Sequence, residues 1–242
     1  MRLPDFLGLG VQKGGTTYLH ALLQQHPQVF LATPKEQQFF SLQWGAGVPG
    51  YAARFAAAAP QQRCGEITPY YVFHPLAPQR IQAVLPGARL IVLLRDPVER
   101  ALSQYFHSRR LGLETLELEA ALAAEPQRLA GSAAVLEQGQ PHRSHQQHSY
   151  LSRSRYAEQL ERFQALFPAE QLLILRSEAL FSDPQPQWER ILEFLALDRM
   201  PCPTLAPVYA GAGESQSVPV ALREQLRQQL VSTYRWMEEV LP

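Results

Sequence analysis

The chain has 242 residues, of which 46% are hydrophobic, and its 22 Lys and Arg balance its 22 Asp and Glu. This length and apolar content predict one folded domain over residues 1–242 and exclude general disorder. The zero net charge argues against a nucleic-acid-binding protein, which normally carries a basic excess. The two cysteines, Cys64 and Cys202, lack C-x-x-C spacing, which argues against a disulfide framework and a cysteine-based zinc site.

The N-terminal segment shows no long apolar stretch followed by a small-residue cleavage site, so it does not indicate a signal peptide. No uninterrupted apolar run approaches the ~18 residues of a membrane span. We therefore expect a cytoplasmic protein with no membrane span and no nucleic-acid partner.

A glycine-rich turn connects the first predicted strand to the first predicted helix. Residues 6–11 are mostly apolar and predict a buried strand. Either Thr16 or Thr17 is expected to cap the helix that follows, which ends near His26 and Pro27. The apolar positions of this helix, at helical spacing, are Leu19, Leu22 and Leu23.

Later segments repeat the alternation of strand and helix. Residues 90–94 are continuously apolar, as expected of a parallel strand covered on both faces, and a helix is predicted from about residue 98 to residue 109. A third strand is predicted over residues 172–175. Helices are predicted over residues 156–167, over residues 187–195 and, as one amphipathic helix, after Pro219. The alternation predicts the α/β class with a mostly parallel sheet.

Residues 132–156 are the most loop-like stretch and a candidate substrate lid. They contain the series His142, His145 and His148. A metal site would need convergent geometry, so solvated histidines are the favoured interpretation. A role for one of them in acceptor binding or proton transfer stays open.

The turn after the first strand reads GVQKGGTT and differs from a Walker A loop, in which Lys directly precedes Ser or Thr. Here Lys13 precedes Gly14, Gly15, Thr16 and Thr17. Backbone N–H groups at a helix N-terminus bind anions, the glycines allow close approach, and Lys13 adds a charge. The alternative is an ordinary glycine turn between a strand and a helix.

The longer phrase GVQKGGTTYLHALLQQHPQV resembles the 5′-phosphosulfate loop of sulfotransferases that use 3′-phosphoadenosine 5′-phosphosulfate (PAPS). The resemblance implies a P-loop-like three-layer fold, with a central mostly parallel sheet flanked by helices. It implies PAPS as donor, adenosine 3′,5′-bisphosphate (PAP) as product, and transfer without a metal ion. Lys13 to Thr17 are then the residues that bind the donor.

A second motif, LIVLLRDPVERALSQYF, resembles the 3′-phosphate site of the same family. The residues that match are Arg95, at the end of the predicted strand, and Ser103, eight residues later. Ligands of open α/β sheets bind at the carboxyl ends of strands, which suits a phosphate held by Arg95. The alternative is a structural ion pair of Arg95 with Asp96 or Glu99.

The segment TPKEQQFFS resembles the heparan sulfate branch of the family, in which the glutamate is the general base. The matching residue is Glu36, and a carboxylate there can take the proton of an attacking hydroxyl. Lys13 would then stabilise charge on the leaving phosphate oxygen. Without the resemblance, Glu36 would be interpreted as an ordinary surface carboxylate.

The segment CGEITPYYVF resembles an E-K-[ST]-P-x-Y-F segment of the same branch. It implies that Glu66 and Tyr71 contact the acceptor, with Lys35 supplying some positive charge. Ile67 replaces the usual lysine, and Gln38 stands where the branch often has a histidine. These departures put a strongly anionic glycan in doubt. An acceptor pocket or the core could equally account for the aromatic residues Trp44, Tyr51, Tyr70 and Tyr71.

One further segment resembles the family, and another departs from it. An R-S-x-Y pattern implies that Arg153, Ser154 or Tyr156 lies near the nucleotide or the acceptor. The branch usually closes over the donor with a basic loop near its C-terminus. Residues 210–219 stand there without a basic residue, and Gly211 and Gly213 could offer backbone N–H groups.

We therefore predict a PAPS-dependent sulfotransferase that acts on a hydroxyl or amine of a small-molecule or saccharide acceptor. Two alternatives remain open. One is a nucleotide-dependent phosphotransferase with an atypical P-loop, which would need Mg²⁺ and an acidic strand end. The other is a catalytically degenerate nucleotide-binding module.

Overall fold

The computed structural model describes residues 1–205 and 213–241. These residues form two compact units. The first unit takes in residues 1–94 and 161–205, and the second takes in residues 95–160 and 213–241.

The first unit contains a five-stranded sheet of strand order β2-β3-β1-β4-β5. Every pair of neighbouring strands is parallel, which confirms the predicted α/β class and parallel sheet. The strands are β1 (Phe6–Gly10), β2 (Val29–Leu31), β3 (Arg63–Ile67), β4 (Arg89–Leu94) and β5 (Leu172–Arg176).

The α-helices alternate with these strands in the first unit and build most of the second. In chain order they are α1 (Thr16–Gln24), α2 (Gly47–Ala52), α3 (Ala77–Val84), α4 (Pro97–Arg110), α5 (Leu118–Leu129), α6 (Ser132–Glu137), α7 (Arg143–Gln147), α8 (Tyr156–Gln164), α9 (Ser177–Ser182), α10 (Pro184–Leu195), α11 (Val220–Gln229) and α12 (Val231–Val240). Short 3-10 helices occur at Trp44–Ala46, Ala53–Phe55, Ser152–Ser154, Ala169–Gln171 and Glu214–Ser217.

The sheet is buried on both faces, and β4 shows this most clearly. All five residues from Leu90 to Leu94 are fully buried, which matches the continuous apolar run of a covered parallel strand. On one face, Ile91 and Leu93 join a core cluster with side chains of α1 and α10. The members from these two helices are Leu19, Leu22, Leu23, Trp188, Ile191, Leu192 and Leu195.

The second unit has its own apolar core. Side chains of α4, α5 and α11 meet there with the buried ring of Tyr150. Its buried members are Val98, Ala101, Leu102, Tyr105, Ala121, Leu122, Tyr150, Val218, Leu226 and Leu230.

Two strands were not predicted from the sequence. β2 has only three residues, and β3 contains a glycine and a carboxylate, Glu66, where an apolar run would be expected. Glu66 is nevertheless 2% exposed. Hydrogen bonds rather than apolar contacts satisfy this side chain, so hydrophobic periodicity does not reveal the strand.

Three expectations about helices are wrong. Gly15, with φ 90°, is the N-cap of α1, and neither Thr16 nor Thr17 caps it. The single helix expected after Pro219 is two helices that meet at Leu230, where φ −111° and ψ 15° interrupt the helical path. The expected loop over residues 132–156 contains α6, α7 and a 3-10 turn, because its polar residues bond to the backbone there.

The buried imidazole of His74 generates a prediction about pH. Its Nδ1 accepts the N–H of Leu76 at 3.2 Å, so the ring is neutral. Burial, and then the charges of Arg80 and Arg162, lower the pKa of His74 from 6.5 to about 4. The unfolded chain therefore binds the proton first, and stability is lost as pH falls from 6.5 towards 4.

We expect the free energy of unfolding to fall by about 3 kcal/mol more in the wild-type protein than in His74→Asn over this pH range. Urea denaturation of both proteins at several pH values measures the difference. Parallel curves for the two proteins would show that His74 is not the group responsible.

Candidate active site

The turn between β1 and α1 lies tightly against β4. The N–H of Val11 donates to the carbonyl of Leu93 at 2.9 Å, and the N–H of Gly14 donates to the carbonyl of Val11 at 2.9 Å. A Cβ on Gly14 would lie 2.7 Å from the Leu93 carbonyl oxygen, so a larger residue would displace the turn. Lys13 adopts φ 69°, in the left-handed region. We call residues 11–15 the phosphate loop.

Ser177, the first residue of α9, holds the phosphate loop from another side. Its buried hydroxyl donates to the carbonyl of Gly14 at 2.6 Å. No motif in the sequence indicated a role for Ser177. A serine directly after the β5 segment was the only signal available, and it is common at helix starts.

The side chains at the start of α1 and just before it differ in their exposure to solvent. Thr16 is buried, whereas Thr17 is exposed and Lys13 is half-buried. The exposed ring of Phe181 packs over Gly15, since a Cβ there would lie 2.8 Å from Cζ of Phe181. Lys13 in the phosphate loop and Thr17 in the first turn of α1 therefore have side chains that reach the surface.

The predicted base, Glu36, is exposed and lies in a turn with unusual backbone angles. Glu36 and Gln38 have φ values of 66° and 55°. Lys35 Nζ lies 3.1 Å from Glu36 Oε1, and Gln38 Nε2 donates to Glu36 Oε2 at 3.3 Å. The carboxylate is thus paired on both oxygens, while 43% of its side chain is exposed.

The buried carboxylate of Glu66 lies beneath this turn. Its Oε1 accepts the hydroxyls of Tyr51 at 2.8 Å and Tyr71 at 2.7 Å. Its Oε2 accepts the hydroxyl of Thr68 at 2.7 Å and the N–H of Gln37 at 3.3 Å. Burial raises the pKa of Glu66, and the four donors oppose that rise.

Glu66 and Tyr71 are therefore enclosed by protein, being 2% and 0% exposed. The contacts given above are internal, and acceptor contact by either residue stays a prediction. Ile67 is 1% exposed and packs against Gly8, so the residue that replaces the usual lysine is part of the core.

The aromatic residues near the turn divide into core and surface. Tyr51, Tyr70 and Tyr71 are buried, which fits the core interpretation. Trp44 is 36% exposed, and the guanidinium of Arg80 lies 5.1 Å from the centre of its ring. Trp44 is therefore the member of this group that can meet a ligand.

The Glu36 turn and the phosphate loop lie at the same edge of the sheet. β1 and β3 are parallel neighbours, so their carboxyl ends meet at one edge, where ligands of α/β sheets bind. The turn is bonded to residues at the end of β3, and the loop follows β1. Lys35, which is paired with Glu36, also acts electrostatically on α1. Burial, and then the positive charge of Lys35, lower the pKa of His20 in that helix.

The second unit contains Arg95, which follows β4 directly, and Ser103, which is half-buried in α4. Asp96 caps α4 by accepting the N–H of Glu99 at 2.9 Å. Its carboxylate also accepts the hydroxyl of Tyr234 at 2.9 Å. The alternative for Arg95, an ion pair with Asp96 or Glu99, stays open.

The R-S-x-Y segment fixes the backbone around Arg95. The hydroxyl of Tyr156 donates to the Arg95 carbonyl at 3.0 Å, and that of Ser154 donates to the Pro97 carbonyl at 2.7 Å. The fully buried Arg100 donates to Ser154 Oγ at 2.6 Å. Burial lowers the pKa of Arg100 to about 10. Arg100 gave no signal in the sequence, because an arginine in an amphipathic helix normally predicts a solvated side chain.

Arg153 has a similar supporting role. It is 4% exposed and donates to Ser149 Oγ at 2.8 Å and to the carbonyls of His145 and Gln146 at 3.1 and 2.6 Å. It thereby ties α7 to the segment that precedes α8.

The three histidines of the H-x-x-H-x-x-H series also make local contacts. His142 caps α7 by accepting the N–H of His145 at 3.1 Å, and His148 Nε2 lies 3.0 Å from the Leu113 carbonyl. His145 is buried, so the expectation of solvated side chains is wrong for it. In the described part of the chain, no group of three or more His, Cys, Asp or Glu is arranged to hold a metal ion.

The expected C-terminal loop over residues 210–219 is only partly described, and Gly211 lies outside the described residues. Gly213, with φ 76°, is the N-cap of the 3-10 helix Glu214–Ser217, and Glu214 forms an ion pair with Arg110.

Across residues 1–205 and 213–241, no helix combines the length and apolarity needed to cross a membrane.

Residues 3–201 match the family described as the sulfotransferase domain. A curated relative, the membrane-associated sulfotransferase kil1 of Dictyostelium discoideum, is 42% identical over 109 residues, which are 44% of this chain and 23% of the relative. The human heparan sulfate glucosamine 3-O-sulfotransferase 3B1 is 33% identical over 201 residues, which are 82% of this chain and 47% of the relative. The chain thus spans less than half of the length of these two relatives.

A sulfotransferase from Alicyclobacillus acidocaldarius has a similar crystal structure. It aligns with a TM-score of 0.80 and 25% identity, covering 100% of this chain and 96% of that one. The predicted P-loop-like three-layer fold is confirmed, as is the predicted resemblance to the sulfotransferases and their heparan sulfate branch.

Removal of the Ser177 hydroxyl should loosen the phosphate loop. Ser177→Ala leaves the buried Gly14 carbonyl without this donor, so we expect a loss of roughly 1–2 kcal/mol in the free energy of unfolding. Chemical denaturation measures it. The matched control is Ser182→Ala in the exposed last position of the same helix, which should change stability by less than about 0.5 kcal/mol. Equal losses would contradict the anchoring role.

Proposed function

We propose, because the chain belongs to the sulfotransferase domain family, that it transfers a sulfuryl group from PAPS to a hydroxyl or amine of its acceptor and releases PAP. Transfer is in line, directly from donor to acceptor, and no covalent sulfated enzyme forms. The catalytic domain comprises residues 1–242.

In this proposal the phosphate loop binds the 5′-phosphosulfate. The backbone N–H groups of residues 13 and 15–17 and the hydroxyl of Thr17 donate to its oxygens, helped by the dipole of α1. The N–H of Gly14 instead donates to the Val11 carbonyl and keeps the loop folded. Thr16 contributes through its backbone, because its side chain is buried. Lys13 stabilises the charge that develops on the leaving phosphate oxygen. Arg95 and Ser103 bind the 3′-phosphate.

Glu36 is the general base. Its carboxylate takes the proton of the acceptor hydroxyl as the oxygen attacks sulfur. Lys35, 3.1 Å from Glu36 Oε1, keeps the carboxylate oriented and contributes positive charge beside the acceptor. Both side chains are accessible enough to meet a ligand, because 21% of the Lys35 side chain and 43% of the Glu36 side chain are exposed.

One observation carries the proposal. The exposed carboxylate of Glu36 is supported by the end of β3, and the phosphate loop follows its parallel neighbour β1. A donor-binding loop and an exposed carboxylate at one edge of a sheet are the two parts that base-assisted sulfuryl transfer needs.

The acceptor is a small molecule or a saccharide of modest charge. The relative 3B1 is named for heparan sulfate, a polyanion. Here the position usually held by a lysine is the buried Ile67, and Gln38 replaces a histidine beside Glu36. The exposed ring of Trp44 suits the apolar face of a sugar or a lipid-like alcohol.

The nucleotide-dependent phosphotransferase is not favoured. It would use an acid at the end of β4 to hold Mg²⁺, and the acid available, Asp96, caps α4 and accepts the hydroxyl of Tyr234. A degenerate binding module would bind PAP without turnover, which the first experiment below detects. A cytoplasmic location stays a prediction.

Substitutions in the two phosphate sites should separate binding from chemistry. We expect Lys13→Ala and Arg95→Ala to weaken PAP binding by about 10- to 100-fold, since each removes a charged partner of a phosphate. Glu36→Gln should lower kcat by about 100-fold or more with PAP affinity unchanged. Isothermal titration calorimetry with PAP and a sulfate-transfer assay measure both effects.

Arg89→Ala is the control for Arg95→Ala, because Arg89 stands at the start of β4 and not at its carboxyl end. It should leave PAP affinity within about twofold. Unchanged affinity in Lys13→Ala would contradict the assignment of the phosphate loop.

Chelation should not affect the reaction. The proposed transfer relies on Lys13 and Arg95 for charge stabilisation, so we expect EDTA treatment and dialysis to leave kcat within about twofold. The assay is run with and without added Mg²⁺. Loss of turnover in EDTA, restored by Mg²⁺, would favour the phosphotransferase.

A further inference from the structure

The turn that carries Glu36 is held by two consecutive backbone N–H groups. The N–H of Gln37 donates to Glu66 Oε2 at 3.3 Å, and the N–H of Gln38 donates to Thr68 Oγ1 at 3.3 Å. Thr68 in turn donates its hydroxyl to the same Oε2 at 2.7 Å. One carboxylate oxygen therefore supports both amides, one directly and one through a hydroxyl.

These two bonds restrain a turn that is unfavourable by itself. Glu36 and Gln38 both adopt positive φ, which costs a non-glycine residue of order 1 kcal/mol or more. Glu36 is also exposed, so apolar packing does not hold its side chain in place. The hydrogen bonds from beneath help to compensate this strain, together with those that the Gln38 carbonyl accepts from the N–H groups of residues 41–43.

The support is itself rigid and closed to solvent. Thr68 is 0% exposed and Glu66 is 2% exposed. Tyr51 and Tyr71 fix the second oxygen of Glu66, so the carboxylate cannot rotate without losing two further bonds. This burial favours a supporting role for Thr68 and Glu66 over contact with an acceptor.

We infer that Glu66 and Thr68 are positioning residues for the proposed base: the buried Glu66 carboxylate, acting partly through the Thr68 hydroxyl, fixes the direction in which Glu36 presents its carboxylate. The inference rests on the proposed function of Glu36. It reassigns Glu66 from acceptor binding to support of the base. Displacement of a reacting group by about 1 Å can cost roughly 100-fold in rate, which sets the expected size of the effect.

Thr68 offers the sharper test, because substitutions there leave the Glu66 charge in place. Thr68→Val keeps the side-chain shape and removes both the acceptor for Gln38 N–H and the donor to Glu66. We expect kcat to fall by about 10- to 100-fold, with the KM for PAPS changed by less than about twofold. Thr68→Ser retains the hydroxyl and should keep kcat within about threefold of the wild-type value.

A loss of stability alone has to be separated from a loss of positioning. Cys64→Ala is the control, because it removes a fully buried thiol from β3, the strand that Thr68 follows, at a distance in sequence from the turn. It should lower the melting temperature and leave kcat within about twofold. The positioning role is overturned if Thr68→Val retains wild-type kcat, if Thr68→Ser loses as much as Thr68→Val, or if Cys64→Ala loses as much.

Amide hydrogen exchange of peptides covering residues 35–42 gives a readout that does not depend on activity. In Thr68→Val the amides of the turn should exchange at least about tenfold faster than in the wild type and in Cys64→Ala. If Glu36→Gln retains full turnover, the proposed base is wrong, and exchange then decides alone whether Thr68 holds the turn. Unchanged exchange in Thr68→Val would refute the support as well.

Discussion

The parallel pairing of β1 with β3 on one side and with β4 on the other is the constraint on which the candidate site depends. Parallel strands bring their carboxyl ends to one edge, so segments far apart in sequence meet there. The phosphate loop follows β1, and the residues that support Glu36 lie at the end of β3 or directly after it. The bond from Val11 to the Leu93 carbonyl fixes the loop to β4 at the same edge. The chemistry is assembled by sheet topology and not by proximity in the chain.

Buried polar groups recur in support of the candidate site residues. Glu66 lies beneath the turn of Glu36, Ser177 holds the phosphate loop, and Arg100 bonds to Ser154 near Arg95. Burial of a charged group costs free energy unless hydrogen bonds satisfy it, and each of these is bonded on several sides or by a short bond. Such groups determine the orientation of neighbours that solvent would otherwise leave mobile.

The sequence predicts well those elements of the fold that the hydrophobic pattern and the positions of glycines determine. The continuous apolar run of β4 and the glycine-rich turn after β1 are local signals, and both are confirmed. β3 and its Glu66 gave no such signal, because a buried carboxylate is satisfied by Tyr51, Tyr71 and Thr68, which lie outside the strand. Partners of this kind become visible only when the chain is folded. The resemblance located Glu66 in a motif without revealing that it is enclosed.

Backbone strain gives an independent argument for the location of the site. Four described residues other than glycine have positive φ, namely Lys13, Glu36, Gln38 and Ala196. Ala196 terminates α10, where a left-handed residue is common. The remaining three belong to the phosphate loop and the Glu36 turn, and no helix end requires their conformation. Strained residues persist where surrounding bonds enforce them, and they cluster at functional sites. Because this clustering was found in the backbone alone, it supports the roles of Lys13 and Glu36 without reference to the motifs that first suggested them.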